Sequence, residues 1–266
     1  MDFTIKKYKE LLSVLKDAAY TFQTFAEFLE DPADRVIVLR HDVDAKKYNS
    51  LRFARIQASM EIRGSYFFRM VSQSFDREVI REITARGREI GYHYETMDTA
   101  GGDIEKAFEL FSKNLTKLRK LVPVKTICMH GSPLSKYDNR SLWDHYDYKE
   151  LGILGEPYLD IDFTKVLYLT DTGRRWDGDK VSVRDKVGSR ELGVGSSTQN
   201  SSPHRAPRTA YRSTNEIINA AVSNSLPDQI MLTFHPQRWT NKPLPWIKEL
   251  IWQNMKNVVK RMIIKR

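Results

Sequence analysis

Short runs of Val, Ile, Phe and Tyr alternate along the chain with longer stretches whose apolar residues recur every three or four positions. Runs of the first kind read as buried strands. Seven are predicted, over Arg35–Leu39, Ser65–Met70, Glu89–Tyr92, Lys125–Met129, Gly152–Glu156, Lys165–Leu169 and Gln229–Phe234. Stretches of the second kind bury one stripe of a helix; they cover Tyr48–Met60, Asp76–Arg86, Ile104–Leu121, Asn139–Tyr146, Asn215–Asn224 and Trp246–Ile264. Strand–helix alternation favours a mainly parallel sheet with helices packed on it. Seven such strands in a single domain over residues 1–266 suggest an α/β fold, a distorted (β/α)7 barrel of mainly parallel strands.

One stretch breaks the pattern. Residues 188–212, GSRELGVGSSTQNSSPHRAPRTAYR, are rich in Ser, Gly, Pro and Arg and poor in large apolar residues. Such a composition buries too little surface to order itself, and it is expected to be a mobile loop inserted before the last strand.

Composition changes the picture in three respects. The chain is 266 residues long and 41% hydrophobic, enough for one large core. No apolar run approaches the ~20 residues a membrane span needs, and the N-terminus lacks the apolar core and cleavage site of a signal peptide. Cys128 is the only cysteine, which excludes an intrachain disulfide and a Cys-rich zinc site. A cytoplasmic location is the simplest expectation. A formal net charge of +9 favours anionic partners, such as phosphates, nucleotide-sugars or headgroups. The charge is not gathered into a run with interleaved aromatics, so no nucleic-acid partner is expected.

Candidate chemistry clusters at the predicted strand ends. His41, Asp42 and Asp44 follow the first strand, His93 and Glu95 the third, His130 and Ser132 the fourth, Asp171 with Arg174 and Arg175 the sixth, and His235 the last. In parallel α/β barrels that face carries the active site. One Asp at a strand end is often a helix cap, and one His in a half-buried loop is more often structural than a ligand. Three His and two Asp together are harder to assign to capping. Carboxylate and imidazole together suit a divalent metal, zinc above others, with a position open for water. An added carboxylate can take the water's proton and an added histidine can protonate a leaving group. Asp42, Asp44, His93, His130 and His235 can fill these roles in hydrolysis of an amide or an ester.

These segments resemble the polysaccharide deacetylase family, the NodB-homology or carbohydrate esterase family 4 domain. LRHDVD (39–44) resembles the family's TFDDG motif, GSYFF (64–68) its ATFF strand, EIGYHYE (89–95) its first histidine segment and LTFHPQRW (232–239) its final strand. The combination HDVD, HYE and MHGSP is most similar to a divergent branch associated with surface-polysaccharide biosynthesis. The resemblance implies Asp42 as catalytic base, Asp44 and His93 as metal ligands and His235 as general acid. DTGRRWDG (171–178) loosely resembles the segment whose Asp, Arg and Trp flank and tune the base, making Asp171, Arg174 and Trp176 candidates. Position 97, where the family's second histidine ligand falls, is Met97. His130 is expected to replace it, with Glu95 as the alternative. The implied activity is metal-dependent removal of an acetyl group from a sugar of a surface polysaccharide or its precursor, on a glycan, nucleotide-sugar or lipid-linked sugar. The alternative is a noncatalytic glycan-binding relative that has lost the metal.

The C-terminal segment 246–266 carries six basic residues and one acidic one. It reads as the helix that closes the barrel, with a solvated basic face. Its Trp246 and Trp252 also suit a headgroup layer, which would allow peripheral contact with the inner face of a membrane.

Overall fold

The computed structural model describes residues 1–131, 135–176 and 211–264, with the side chains of 259–264 excepted. Most of the predicted inserted loop 188–212 lies outside the described residues, as does Ser132.

Seven strands form one sheet in which every ladder is parallel: β1 (Thr21–Gln23), β2 (Val36–Val43), β3 (Ser65–Phe68), β4 (Glu89–Tyr94), β5 (Ile127–Met129), β6 (Leu167–Thr170) and β7 (Gln229–Phe234). Their order is β5-β4-β3-β2-β7-β6, and β1 shares with β3 the other edge of β2. The α-helices are α1 (Ile5–Asp17), α2 (Phe25–Glu30), α3 (Lys47–Ser59), α4 (Arg77–Thr84), α5 (Thr96–Thr99), α6 (Ile104–Arg119), α7 (Pro157–Asp160), α8 (Thr214–Val222) and α9 (Pro243–Ile264). The sheet curls into the expected α/β barrel, open between β5 and β6 among the described residues.

Polar caps set several helix starts. The Thr24 hydroxyl accepts from Glu27 N while the Glu27 carboxylate accepts from Thr24 N, and Asp76 and Asp103 accept from the first turns of α4 and α6. Each such cap satisfies backbone donors that the helix itself leaves free.

Strand alternation divides the core in two. Val36 and Val38 of β2, Phe67, Cys128 and Met231 face inward and pack with Phe25 and Phe28 of α2. Ile37, Leu39 and Val43 face outward into a larger core under the helices, with Tyr8, Leu11, Leu12, Phe53, Phe111 and Trp239.

Four expectations change. First, β2 runs four residues further than predicted, so Arg40, His41 and Asp42 lie within the strand and are fully buried. A strand covered on both faces in a parallel sheet does not stop where the sequence turns polar. Second, Gly152–Glu156 is not a strand: it makes one bridge, Thr126 with Gly155, between a 3-10 turn and α7. Gly152 is left-handed there, at φ +67°, and Pro157 follows at the start of α7. The seventh strand is Thr21–Gln23, three residues long and too short to show a period. Third, Asn139–Asp144 is a 3-10 helix.

Fourth, α9 does not close the barrel with an apolar face. Among its described side chains Gln253 and Asn257 are the buried ones, whereas Leu244, Ile247, Ile251, Trp252, Met255 and Val258 are exposed. Asn257 Nδ2 donates to the Gly173 carbonyl, which helps dock the helix through a polar contact. Among the described residues, no helix is long and apolar enough to cross a membrane.

Candidate metal and acid–base site

The site follows from strand parity. Alternate residues of a strand face the same side, so Arg40 and Asp42 share the inner face of β2, and Asp44, one residue past its end, keeps the same parity. Glu89, Gly91 and His93 do the same on β4, and Thr126, Cys128 and His130 along and beyond β5. Met231 and Thr233 lead to His235 at the end of β7. Gly91 has a steric reason: a Cβ there would run into the Phe67 ring that fills the space between these strands.

Three imidazoles converge on Asp44. His93 Nε2 lies 3.5 Å from Asp44 Oδ1, His130 Nε2 lies 3.6 Å from the same oxygen, and His235 Nε2 lies 3.8 Å from Asp44 Oδ2. The other nitrogen of each ring lies close to an oxygen. His93 Nδ1 is 2.9 Å from the Cys128 carbonyl, His130 Nδ1 is 2.9 Å from Glu95 Oε2, and His235 Nδ1 is 2.5 Å from Asp171 Oδ1. For His93 and His235, Nδ1–H on these acceptors leaves the Nε2 lone pair facing the shared space, the arrangement by which second partners orient metal-ligating histidines; His130 Nδ1 approaches the Glu95 carboxylate as an ion pair without a formed hydrogen bond. Asp44 Oδ1 is buried and has no hydrogen-bond partner, although an unsatisfied buried acceptor is costly. Ligands at about 2.0–2.1 Å around a tetrahedral zinc stand roughly 3.3 Å apart. The Asp44–His93 and Asp44–His130 separations therefore fit one ion, and these three side chains can hold it.

A second grouping, Asp42, His93 and Cys128, shares His93. Its carboxylate is committed elsewhere: Arg40 Nε donates to Asp42 Oδ1 at 2.8 Å and Arg40 Nη2 to Oδ2 at 2.7 Å, both groups being buried. Asp42 Oδ2 stands 3.9 Å from His93 Nε2, beside the metal position. Burial pushes the Asp42 carboxyl up, but the Arg40 charge and His93 outweigh it and hold it below the usual range. Asp44 behaves likewise: burial raises it, and the contact with His93 and the His235 and His130 charges hold it well below the usual range.

Asp171 anchors His235. It accepts from His235 N at 3.0 Å, from Trp239 Nε1 at 2.6 Å and from Arg238 Nη1 at 3.1 Å. Burial raises the Asp171 carboxyl, and the neighbouring His235 and Arg238 more than reverse the effect. The Arg and Trp that reach this carboxylate thus lie three and four residues after His235 in HPQRW. The expected Arg174 points its guanidinium over the rings of Trp246 and Phe3, at 4.6 and 5.2 Å, and its Nη1 donates to the Trp246 carbonyl. Arg174 is therefore a packing residue of α9 and not part of the acid–base group. Trp176 packs in the outer core and donates to Thr214 Oγ1.

Two further candidates take other places. Glu95 is engaged in a forked pair with Arg69, at 2.7 and 2.8 Å from Nη2, and lies behind His130 at its Nδ1. His41 has the wrong parity and faces the outer core. It stacks on Tyr66 with ring centroids 4.2 Å apart, with Nδ1 at 3.0 Å from the Ser65 carbonyl and Nε2 facing Tyr8 and Gln57. Burial lowers its pKa to about 4, and it stays neutral. Met97, where the family's second histidine would stand, is packed in the outer core on α5.

Arg40, Arg69, Arg238 and Trp239 are the functional residues that sequence reasoning left without a role. Arg40 is two residues before Asp42, on the same strand face. Arg238 and Trp239 follow His235 on a turn starting at Pro236.

The site opens into a cleft of 380 Å³ lined in part by Asp44, Lys46, Arg69, Arg238, Trp252 and Lys256.

No protein-family model matches the chain, and no curated protein does. Among solved structures, it is similar to a CE4 family pseudoenzyme from Bacillus anthracis, BA3943, and to a BA3943 mutant with restored enzymatic activity. Each has a TM-score of 0.45 and 10% identity over 86% of this chain. The alignments span 64% of the mutant chain and 62% of the wild-type chain, less than two thirds of either. Likeness at that level says nothing of what this chain does.

Proposed function

We propose that the chain is a metal-dependent hydrolase of the polysaccharide deacetylase type that removes an acetyl group from a sugar of a surface polysaccharide or its precursor. The observation that carries this reading is the convergence of three Nε2 atoms on Asp44, with the His93 and His235 rings held through Nδ1 by the Cys128 carbonyl and Asp171. Asp44, His93 and His130 would hold zinc, which when bound polarises an acyl oxygen and brings the pKa of a water towards ~7. Asp42 accepts a proton beside that position, its carboxylate kept in one orientation by Arg40. His235 faces the same space through Nε2, the atom that would pass a proton to the departing nitrogen or oxygen, while Asp171 accepts from its Nδ1–H and fixes the ring's orientation. The cationic lining of the cleft suits a sugar that carries phosphate, such as a nucleotide-sugar or a lipid-linked sugar.

One observation favours a noncatalytic glycan-binding protein instead. The Arg40 fork occupies both oxygens of Asp42 and weakens it as a base. Acetate release separates the two. The zinc-loaded chain should release acetate from acetylated hexosamine oligosaccharides or from a nucleotide-linked N-acetylhexosamine. D42N and H235Q should fall to background while keeping zinc. A zinc-loaded wild type that binds these sugars and releases no acetate supports the second reading.

A further inference from the structure

Helix α9 is amphipathic in the reverse sense to a helix that packs on a core. Among its described side chains the buried ones are Gln253 and Asn257. Its apolar residues Leu244, Ile247, Ile251, Met255 and Val258 are 72, 45, 56, 56 and 54% exposed. At about 100° per residue these five positions fall in an arc of about 80°, roughly opposite the arc that holds Gln253 and Asn257. Trp252 and Lys256 lie between the two arcs and line the cleft. The helix therefore carries a polar face towards the barrel, a second face towards the site and an apolar stripe towards solvent. A contiguous exposed apolar stripe of this kind marks a contact surface.

The charge along the same helix selects the occupant. Lys248 borders the stripe and is exposed, and the helix sequence adds Lys256, Lys260 and Arg261 against the single acid Glu249. A second copy docking through the same stripe would set two basic helices side by side. The chain's own segment 177–210 has six basic residues against four acidic ones and few large apolar residues, a composition that complements neither the charge nor the apolar stripe of the helix. A surface that is apolar beneath and negatively charged at its edge satisfies both features: apolar side chains enter the acyl boundary while the cations meet headgroups.

We infer that the exposed stripe of α9 is a docking surface for an anionic lipid bilayer, lying flat at the interface with the cleft mouth beside it. The inference does not depend on the hydrolase reading, because it is read by binding alone. The full chain should sediment with vesicles of equal parts phosphatidylcholine and phosphatidylglycerol, and its partition should weaken steeply as salt is raised. Ile251→Asp with Met255→Asp, both at exposed positions, should lower that partition at least tenfold with an unchanged circular dichroism spectrum. Ile247→Asp with Val258→Asp, as an independent pair on the same stripe, should do the same. Binding to the vesicles that neither pair weakens would overturn the inference. So would failure of the wild-type chain to sediment with them at low salt, or a wild-type dimer in solution that either pair dissociates.

Discussion

His41 and His93 sit on strands of one sheet and differ by parity. His41 faces the outer core, where Ser65, Tyr8 and Gln57 surround both ring nitrogens and four aromatic rings pack against it. His93 faces the inner side, where Cys128 O engages Nδ1 and Nε2 points at an Asp44 oxygen that has no hydrogen-bond partner. Both are buried histidines beside the same motif. Burial alone does not distinguish a structural histidine from a functional one; the accounting of donors and acceptors does. A satisfied cluster holds the fold, and an unsatisfied one of fitting geometry awaits a cation.

The largest effect is expected from removing a converging group. His93→Ala or Asp44→Ala should abolish stoichiometric zinc binding, measured by elemental analysis of protein dialysed after loading, while His41→Ala retains it. Zinc retained at full stoichiometry in both inner-face variants would erase the distinction between the two histidines.

Thermal stability should show the reverse. His41→Ala leaves Tyr8, Gln57 and the Ser65 carbonyl short of a partner and opens a cavity among aromatic rings. The expected cost is about 3 kcal/mol or more, a fall in Tm on the order of 10 °C for a domain of this size. His93→Ala should lower the Tm of the metal-free protein by less, since it gives up one ring hydrogen bond, to the Cys128 carbonyl, where His41→Ala strands three partners. Equal losses in the two variants, followed by calorimetry, would mean that parity does not separate them.

Much of this contrast was legible in the sequence. Runs such as VIVL, SYFF and QIMLTF announced a parallel sheet, and Asp42, Asp44, His93, His130 and His235 stood out as metal and acid–base candidates, all of which the fold brings to one face. Strand ends were less legible, because a polar run in a doubly covered strand looks like a loop. That error set His41 beside Asp42, although the two differ by one residue and therefore by a whole face. The partners of Asp171 were missed for a different reason. Adjacency in the chain points to Arg174 and Trp176, whereas parallel pairing sets Asp171 next to the end of β7 and its neighbours Arg238 and Trp239. The inverted face of α9 was not legible at all, since a helical period gives the direction of the apolar stripe only once something is known to cover it.

A third test uses acidity. Glu156 is buried, and burial raises its carboxyl from 4.5 to about 7 against the opposing hydrogen bond from Met129 N and the Arg40 charge. A folded state that binds the proton more tightly than the unfolded one loses stability as pH rises between those values. The cost is absent below about 4.5, grows to about 7 and is constant above. At about 1.36 kcal/mol per unit it amounts to at most roughly 3 kcal/mol. Glu156→Gln, which keeps an acceptor for Met129 N, should flatten the decline of Tm across that window. An unchanged slope would mean that this buried acid is ionised in the fold, as Asp42 is.

The smallest expected effect probes the partner behind a ligand. Glu95 touches His130 Nδ1 and is itself forked by Arg69. Glu95→Gln keeps the shape and removes the charge. A carboxylate behind a ligating imidazole fixes its tautomer and raises its basicity, and its loss typically weakens metal binding about 10–100-fold. Competition against a fluorescent zinc chelator should register that decrease, whereas a change at Tyr66, which stacks on His41, should leave zinc affinity unmoved. The two substitutions differ in the property that separates the two histidines. Glu95 prepares a nitrogen whose lone pair is still to be used, and Tyr66 packs against a ring whose nitrogens are both engaged. An unchanged zinc affinity in Glu95→Gln would show that His130 does not ligate, and would leave Asp44 and His93 to hold the ion with a donor other than the one that position 97 failed to provide.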